Sequence, residues 1–435
     1  MRVKLIGVSN EARKSESIAL ILQGLFDGFF PENKLDNPLF SSPKQEIMND
    51  ENAPATAEAE PANPPSKPWW RFLQREDWIV VGWVLAISGL FFVFGTKAYQ
   101  ILANKWTVGF HGWLELWSRW DGDQYLRLAK LGYTNDSVWK AWLYPLYPWC
   151  IRFVAWIAGN YVVSGLIVSG AALFFAAVLL RRLVSIDFAP EVALRSVWFL
   201  LIFPTAYFLH VCYTESLFLA LVIGSVFAAR RERWWLAGLL GALSWMTRAN
   251  GIILLPTLAV EAACQFWATR RWSWRWLWIG VVPAGFAVYL LINWKVSGAP
   301  FAFLASRNAL FSVRPSWPWV GLRSTIGVIQ HWKPTDSEII GTQEFSFIIL
   351  GFICAVASWV KLRPTYAMWI SGNWLLVTGA SWLISMPRYT LVMFPIFILF
   401  ALLANSRFWY ALITMWSLLF FALFASLFVW GHWAF

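Results

Sequence analysis

The sequence predicts an all-α protein that crosses a membrane about eleven times. Three observations carry that reading. The 435 residues are 59% hydrophobic and only 14% charged, where a soluble domain carries about 25% charged residues. From Trp78 onward, apolar runs of about 15–22 residues alternate with short polar breaks, and one crossing needs about 20 apolar residues. The 33 Trp and 35 Phe suit aromatic belts at the two membrane–water interfaces. This composition argues against an ordinary soluble enzyme, a mainly disordered chain and a nucleic-acid-binding protein. The net charge of +11 needs no nucleic acid, because Lys and Arg anchor the cytoplasmic loops of membrane proteins.

Residues 1–77 read as a disordered cytoplasmic tail, with nine basic and twelve acidic side chains. The stretch from Pro43 to Pro68 is rich in Ala, Pro, Glu and Asn and has no apolar periodicity. Such a segment cannot bury enough surface to order itself. Ile18–Phe30 is apolar but too short and too late for a signal peptide, and no small-residue cleavage site follows it. The second unit, 78–435, holds the membrane spans.

The expected spans are 79–97, 161–180, 191–208, 213–229, 234–248, 251–267, 276–294, 345–360, 366–385, 389–404 and 408–430. Basic residues set their orientation. Arg181/Arg182, Arg230/Arg231/Arg233, Arg270/Arg271/Arg275, Lys361/Arg363 and Arg407 all fall on the cytoplasmic side if the N-terminus does. One further crossing would invert every later cluster. The segment Trp142–Ala158 is therefore read as re-entrant or interfacial, with Tyr144-Pro145 and Tyr147-Pro148 breaking its start. Two long loops, about 98–160 and 295–344, then face outward and carry short amphipathic helices. The four cysteines lie far apart without a C-x-x-C pair. They suggest buried small apolar groups rather than a zinc site or disulfide framework.

The first outer loop contains Arg119-Trp120-Asp121-Gly122-Asp123-Gln124-Tyr125, opening a short amphipathic helix that Gly132 can stop. Asp121 or Asp123 at the start of that helix suits its dipole; a plain helix cap is the structural alternative. Glu215 sits at the mouth of a span, where an ionisable group is a functional candidate or the partner of a bundle-holding arginine. His210 and Tyr213 precede it, and His210 also reads as a hydrogen-bonded structural histidine. Arg248, beside Asn250, and Arg388 face outward against the positive-inside trend, as functional groups or as snorkelling anchors. Together these side chains map to one face. Guanidinium groups there can bind phosphate oxygens bidentately, and a carboxylate can take a proton from a hydroxyl.

Those residues carry a resemblance. Arg119-Trp120-Asp121-x-x-x-Tyr125-Leu126-x-Leu128-Ala129-x-x-Gly132-Tyr133 resembles the first-loop motif of PIG-V-type mannosyltransferases of the GT-C superfamily. The similarity continues through Tyr144-Pro145-Leu146-Tyr147-Pro148, Phe203-Pro204-Thr205, Tyr213-x-Glu215-Ser216 and Thr247-Arg248-Ala249-Asn250-Gly251. It closes at Pro387-Arg388-Tyr389 and Phe394-Pro395, so it spans roughly 78–435 and leaves out the tail.

The resemblance implies a GT-C-like membrane enzyme. Such an enzyme moves a sugar, usually mannose, from a polyprenyl- or dolichyl-phosphate donor to a lipid or glycolipid acceptor on the extracytoplasmic face, with inversion. It implies no cofactor and no metal. Asp121 matches the family's catalytic acidic position, and Asp123 is the second choice. Arg119, Tyr125, His210, Tyr213, Glu215, Arg248, Asn250 and Arg388 are the expected substrate-binding residues. Compact size suggests a bacterial plasma membrane; an endoplasmic reticulum protein has the same physics. The competing readings are a GT-C transferase of another lipid-linked sugar, a lipid or glycan transporter, and a membrane scaffold. A transporter predicts ionisable residues deep within spans, whereas most here lie at span ends.

Overall fold

The computed structural model describes residues 74–134, 143–305 and 313–435. Residues 1–73, including the Ile18–Phe30 stretch, lie outside the described residues, as do Trp142 and Arg307. Among the described residues all regular structure is helical, apart from one isolated bridge between Pro315 and Ala380.

The helices run in chain order as α1 (Arg75–Leu102), α2 (Gly109–Glu115), α3 (Asp121–Leu131), α4 (Leu146–Ala158) and α5 (Tyr161–Val184). They continue with α6 (Pro190–Ile202), α7 (Glu215–Arg230), α8 (Trp234–Trp245), α9 (Leu254–Thr269), α10 (Pro283–Ser297) and α11 (Pro318–His331). The last five are α12 (Glu344–Lys361), α13 (Pro364–Thr378), α14 (Met386–Leu391), α15 (Pro395–Leu403) and α16 (Arg407–Trp430).

Six helical stretches are long and apolar enough to cross a membrane: Arg75–Leu102, Tyr161–Val184, Ala249–Thr269, Trp274–Ser297, Pro334–Lys361 and Arg407–Trp430. The protein is an integral membrane protein on that ground. All eleven expected spans fall on helices, but five of them (α6, α7, α8, α13 and the α14–α15 pair) are shorter. The reason is local. Pro204 follows the end of α6, and Pro387 and Pro395 stand at the starts of α14 and α15, where proline is tolerated but cannot continue a preceding helix. These short helices pack within the bundle: α7 lies against α5 and α8, and α6 against α15. Protein neighbours, rather than lipid, then receive the irregular backbone at their ends. Helix α4, at 13 residues, is too short to span alone.

The first loop is built on its apolar face. Tyr125, Leu126, Leu128 and Ala129 of α3 bury against Tyr147 and Ile151 of α4 and Val168 of α5. Arg152 Nε donates to the Ala129 carbonyl at 2.6 Å, and Gly132 stops the helix with φ near 80°. This packing fixes the start of α3, where Asp121 stands.

Candidate active site

Four segments far apart in sequence meet at one end of the bundle: the start of α3, the 203–215 connection, the turn after α8, and α14. The 203–215 stretch is irregular yet wholly buried, so its polar backbone must be met from outside. Cys212 N–H donates to the Trp117 carbonyl at 3.0 Å. The hydroxyl of Ser216 donates to the Leu209 carbonyl at 2.7 Å, and that of Thr205 to the Pro387 carbonyl at 2.9 Å. The last bond ties this connection to α14.

Glu215, fully buried at the first turn of α7, is the hub. Its Oε1 accepts from Arg248 Nη1 and from Arg388 Nε. Arg248 Nη1 also donates to Thr214 Oγ1 at 3.1 Å. Arg388 reaches on through Nη1 to Asp121 Oδ2 at 2.8 Å. The result is a chain Arg248–Glu215–Arg388–Asp121. Two arginines meeting two carboxylates make it neutral as a unit. The Arg388 guanidinium lies over the neighbouring Tyr213 and Phe208 rings, 4.7 and 4.9 Å from their centroids. Such cation–π contacts fix its plane and offset part of its desolvation. The Asp121 side chain is 30% exposed and is the open end of the chain. Glu215 Oε2, by contrast, is buried with no hydrogen-bond partner.

Backbone geometry aims Asp121. Trp120 adopts φ 57° and ψ −121°, a region that costs a non-glycine residue about 1–3 kcal/mol. The Arg119 carbonyl, accepting from Gly122 N–H at 3.1 Å and Tyr213 OH at 3.0 Å, holds the turn in place. Gly122 is favoured by close approach. A Cβ there would stand 3.3 Å from both the Cys212 carbonyl and the Tyr213 ring.

The remaining expected site residues fall in different places. Tyr125 is buried beneath the chain, edge-on to Tyr147 at 5.4 Å and to Tyr213 at 6.5 Å. Asp123 is not brought in. It pairs with Arg127 at 2.8 Å on the exposed side of α3, since two residues along a helix turn a side chain to another face. His210 bonds Ser88 Oγ at 3.0 Å through Nδ1 and stacks on Phe91, facing a separate apolar cavity of about 280 Å³ beside α1. Asn250 donates to Asn373 Oδ1 at 2.7 Å, joining the turn after α8 to α13. Arg119 stands beside Asp121 but outside the chain of ion pairs. Burial pushes its guanidinium below the usual arginine value, against smaller opposing effects of Tyr99 and Glu115.

One residue had no sequence signal that singled it out. Glu344, fully buried at the start of α12, accepts from the Ser385 and Met386 backbone N–H groups at 2.6 Å each. It holds the entry to α14, with Ser385 in the left-handed region at φ 67°, three residues before Arg388. An acidic residue at the mouth of a span, as at Glu215, was the signal available. Among the described residues no group of three or more His, Cys, Asp or Glu side chains is placed to hold a metal ion.

Comparison with known proteins bears on this arrangement. Residues 100–271 match the family model described as Mannosyltransferase (PIG-V). The matching segment contains Asp121, Glu215 and Arg248. Arg388 lies outside it and is brought in by the fold. No curated protein gives a significant match. Two solved structures of the Archaeoglobus fulgidus oligosaccharyltransferase are similar at 12% identity. The apo form covers 81% of this chain with a TM-score of 0.43. The archaeal oligosaccharyltransferase AglB in complex with an inhibitory peptide and a dolichol-phosphate covers 80% with a TM-score of 0.41. The chain spans little more than half the length of those two proteins, 56% and 55%.

Proposed function

We propose that the protein transfers a mannosyl group from a polyprenyl-phosphate donor to a hydroxyl of a lipid or glycolipid acceptor, at the extracytoplasmic face and with inversion. The observation that carries this reading is the buried chain of ion pairs ending at the partly exposed Asp121, within a segment that matches a mannosyltransferase family.

Asp121 is the general base. Its carboxylate takes the proton of the acceptor hydroxyl as that oxygen forms a bond to the anomeric carbon. The bond from that carbon to the phosphate oxygen breaks on the opposite face, and its electron pair leaves with the polyprenyl phosphate. The leaving group departs as a stable anion, so a second carboxyl to protonate it is less needed than in glycoside hydrolysis. Arg388 orients Asp121 through its Nη1 contact, and Glu215 and Arg248 orient Arg388.

The deciding assay supplies purified protein with radiolabelled polyprenyl-phosphate-mannose and a lipid extract from its host, comparing wild type with Asp121→Asn. Label moving to a new lipid product with wild type alone supports the reading. Transfer by the variant at the wild-type rate refutes the base, and no transfer by either refutes mannose as the donor sugar. Repeating the assay with other polyprenyl-phosphate sugars then separates another glycosyltransferase from a transporter.

A further inference from the structure

A donor phosphate brings a negative charge that the four-residue chain is poorly suited to meet. Arg248 through Nη1 and Arg388 through Nε and Nη1 already pair with Glu215 and Asp121. An anion arriving at those nitrogens would compete with a carboxylate already bonded there. Asp123 and Arg127 likewise cancel each other. Arg119, two residues before Asp121, makes no ion pair among the described residues, and its buried Nε has no hydrogen-bond acceptor. The carboxylate acting on it is Glu115, which is itself 3.6 Å from His111.

The turn after α16 lies directly over this guanidinium. Gly431, at φ 91°, is so close that a Cβ on it would stand 2.8 Å from Arg119 Nη1. Trp433 packs edge-on against Trp120 with ring centroids 5.4 Å apart. Trp433 Nε1 and His432 Nδ1 are also buried without partners. A guanidinium without an ion pair, 5.7 Å from the Tyr99 ring centroid, thus lies under the turn that carries Trp433, packed on Trp120 before α3, and His432, each with a partnerless ring nitrogen. Buried polar nitrogens without acceptors are unusual and call for a partner. A phosphate, with several acceptor oxygens and a negative charge, supplies what a guanidinium fork and an indole N–H lack.

We infer that Arg119, with Trp433 and His432, forms a phosphate subsite beside Asp121, and that it takes the phosphate of a lipid-linked substrate. Arg248 and Arg388 then position the base, while Arg119 binds the anion. This inference rests on the lipid-phosphate reading above, but its test needs no sugar transfer.

The test is direct binding of polyprenyl phosphate, carrying no sugar, to the purified full-length protein, with inorganic phosphate as competitor. Arg119→Gln is expected to weaken binding at least tenfold. Trp433→Phe, which keeps the ring against Trp120 and removes only the N–H, is expected to weaken it about threefold. Asp121→Asn is expected to bind at least as tightly as wild type. Competition by inorganic phosphate marks recognition of the phosphate alone, and its failure marks recognition that also requires the lipid; either supports the subsite if Arg119→Gln abolishes it. Wild-type binding by both Arg119→Gln and Trp433→Phe overturns the inference. So does loss of binding in Arg248→Met with Arg119→Gln unaffected. A protein that binds polyprenyl phosphate through Arg119 but moves no mannose keeps this inference and loses the proposed function.

Discussion

Helix α7 carries an ion-pair cluster at each end, each built around a buried glutamate, and the two differ in how completely they are satisfied. At its C-terminal end, Arg230 bonds both oxygens of Asp187 at 2.6 and 2.7 Å. Nearby, Glu261 accepts from Arg363 Nε and Nη2 at 2.9 and 3.0 Å, from Thr365 Oγ1 at 2.6 Å and from Gln265 Nε2 at 3.0 Å. Tyr366 OH donates to Asp187 Oδ2 at 2.9 Å. Both oxygens of each carboxylate are engaged. At the other end, roughly 24 Å away along the helix, Glu215 takes both arginines on one oxygen and leaves the other without a partner. Its chain ends at a partly exposed aspartate. Saturated clusters hold elements together; a cluster with a vacant acceptor and an open end keeps capacity for a substrate. Burying charge is costly in either place, and removing one partner of a buried pair costs about 3–5 kcal/mol. The unsaturated arrangement therefore carries a cost that stability alone does not explain.

The widest separation between the two ends is expected from Asp121→Asn. Loss of a general base lowers transfer by about 10²–10⁴-fold, while the partly exposed position leaves the melting temperature nearly unchanged. Steady-state rates alongside a thermal melt in detergent check both halves. An unfolded variant would place Asp121 with the structural cluster and erase the contrast.

Glu261→Gln is the mirror experiment. It leaves Arg363 facing a neutral amide, and a loss of about 3–5 kcal/mol is expected. Transfer per folded molecule should remain within about twofold of wild type. Denaturation midpoint and activity normalised to folded protein decide it. A large fall in specific activity with unchanged stability would show that this end also serves the chemistry.

Much of this contrast is legible in sequence, and the rest is hidden for physical reasons. Glu215, Arg248 and Arg388 stand out because each is charged at the end of an apolar run, and Asp121 because it opens a short amphipathic helix in the first outer loop; the fold joins all four. Sequence spacing does not tell Asp121 from Asp123, because both lie in the first turn of α3; the strained Trp120 turn and the contact to Arg388 distinguish them. His210 and Asn250 sit within the same short motifs as the site residues, yet they face Ser88 and Asn373. Facing directions in an irregular buried segment follow from packing that no periodicity encodes. The short helices α6, α8 and α13–α15 likewise read as full spans, since hydropathy does not register where a bundle shelters a break.

Glu344 tests whether the open end is positioned from a distance. Glu344→Gln keeps an oxygen for one of the two α14 N–H donors and sets an amide N–H₂ against the other. A stability loss of about 1–3 kcal/mol is expected for that unmet donor, with kcat falling about tenfold and KM little changed. The kcat and KM split, measured beside the melt, separates this from a general loss of fold. A variant with wild-type kcat would confine Glu344 to capping α14.

The smallest expected effect is the sharpest on roles. Asp123 and Asp121 lie within one turn of α3, both acidic and both near its positive end. Their surroundings differ: Asp123 meets Arg127 at the exposed surface, with side chains 47% and 58% accessible, and Asp121 meets Arg388 in a site where that arginine is almost wholly buried. An exposed i, i+4 pair contributes about 0.3–0.5 kcal/mol, and its loss leaves the Asp121 turn, the Arg119 carbonyl contacts and the ion-pair chain intact. Asp123→Asn should therefore transfer sugar within about twofold of wild type and melt within a degree or two of it. Solvent screening predicts that even this small stability change fades as salt is raised. If Asp123→Asn instead lost activity to the extent of Asp121→Asn, the acceptor hydroxyl would have to approach α3 from its exposed face. The buried chain through Arg388 would then be a support for the helix rather than the setting of the base.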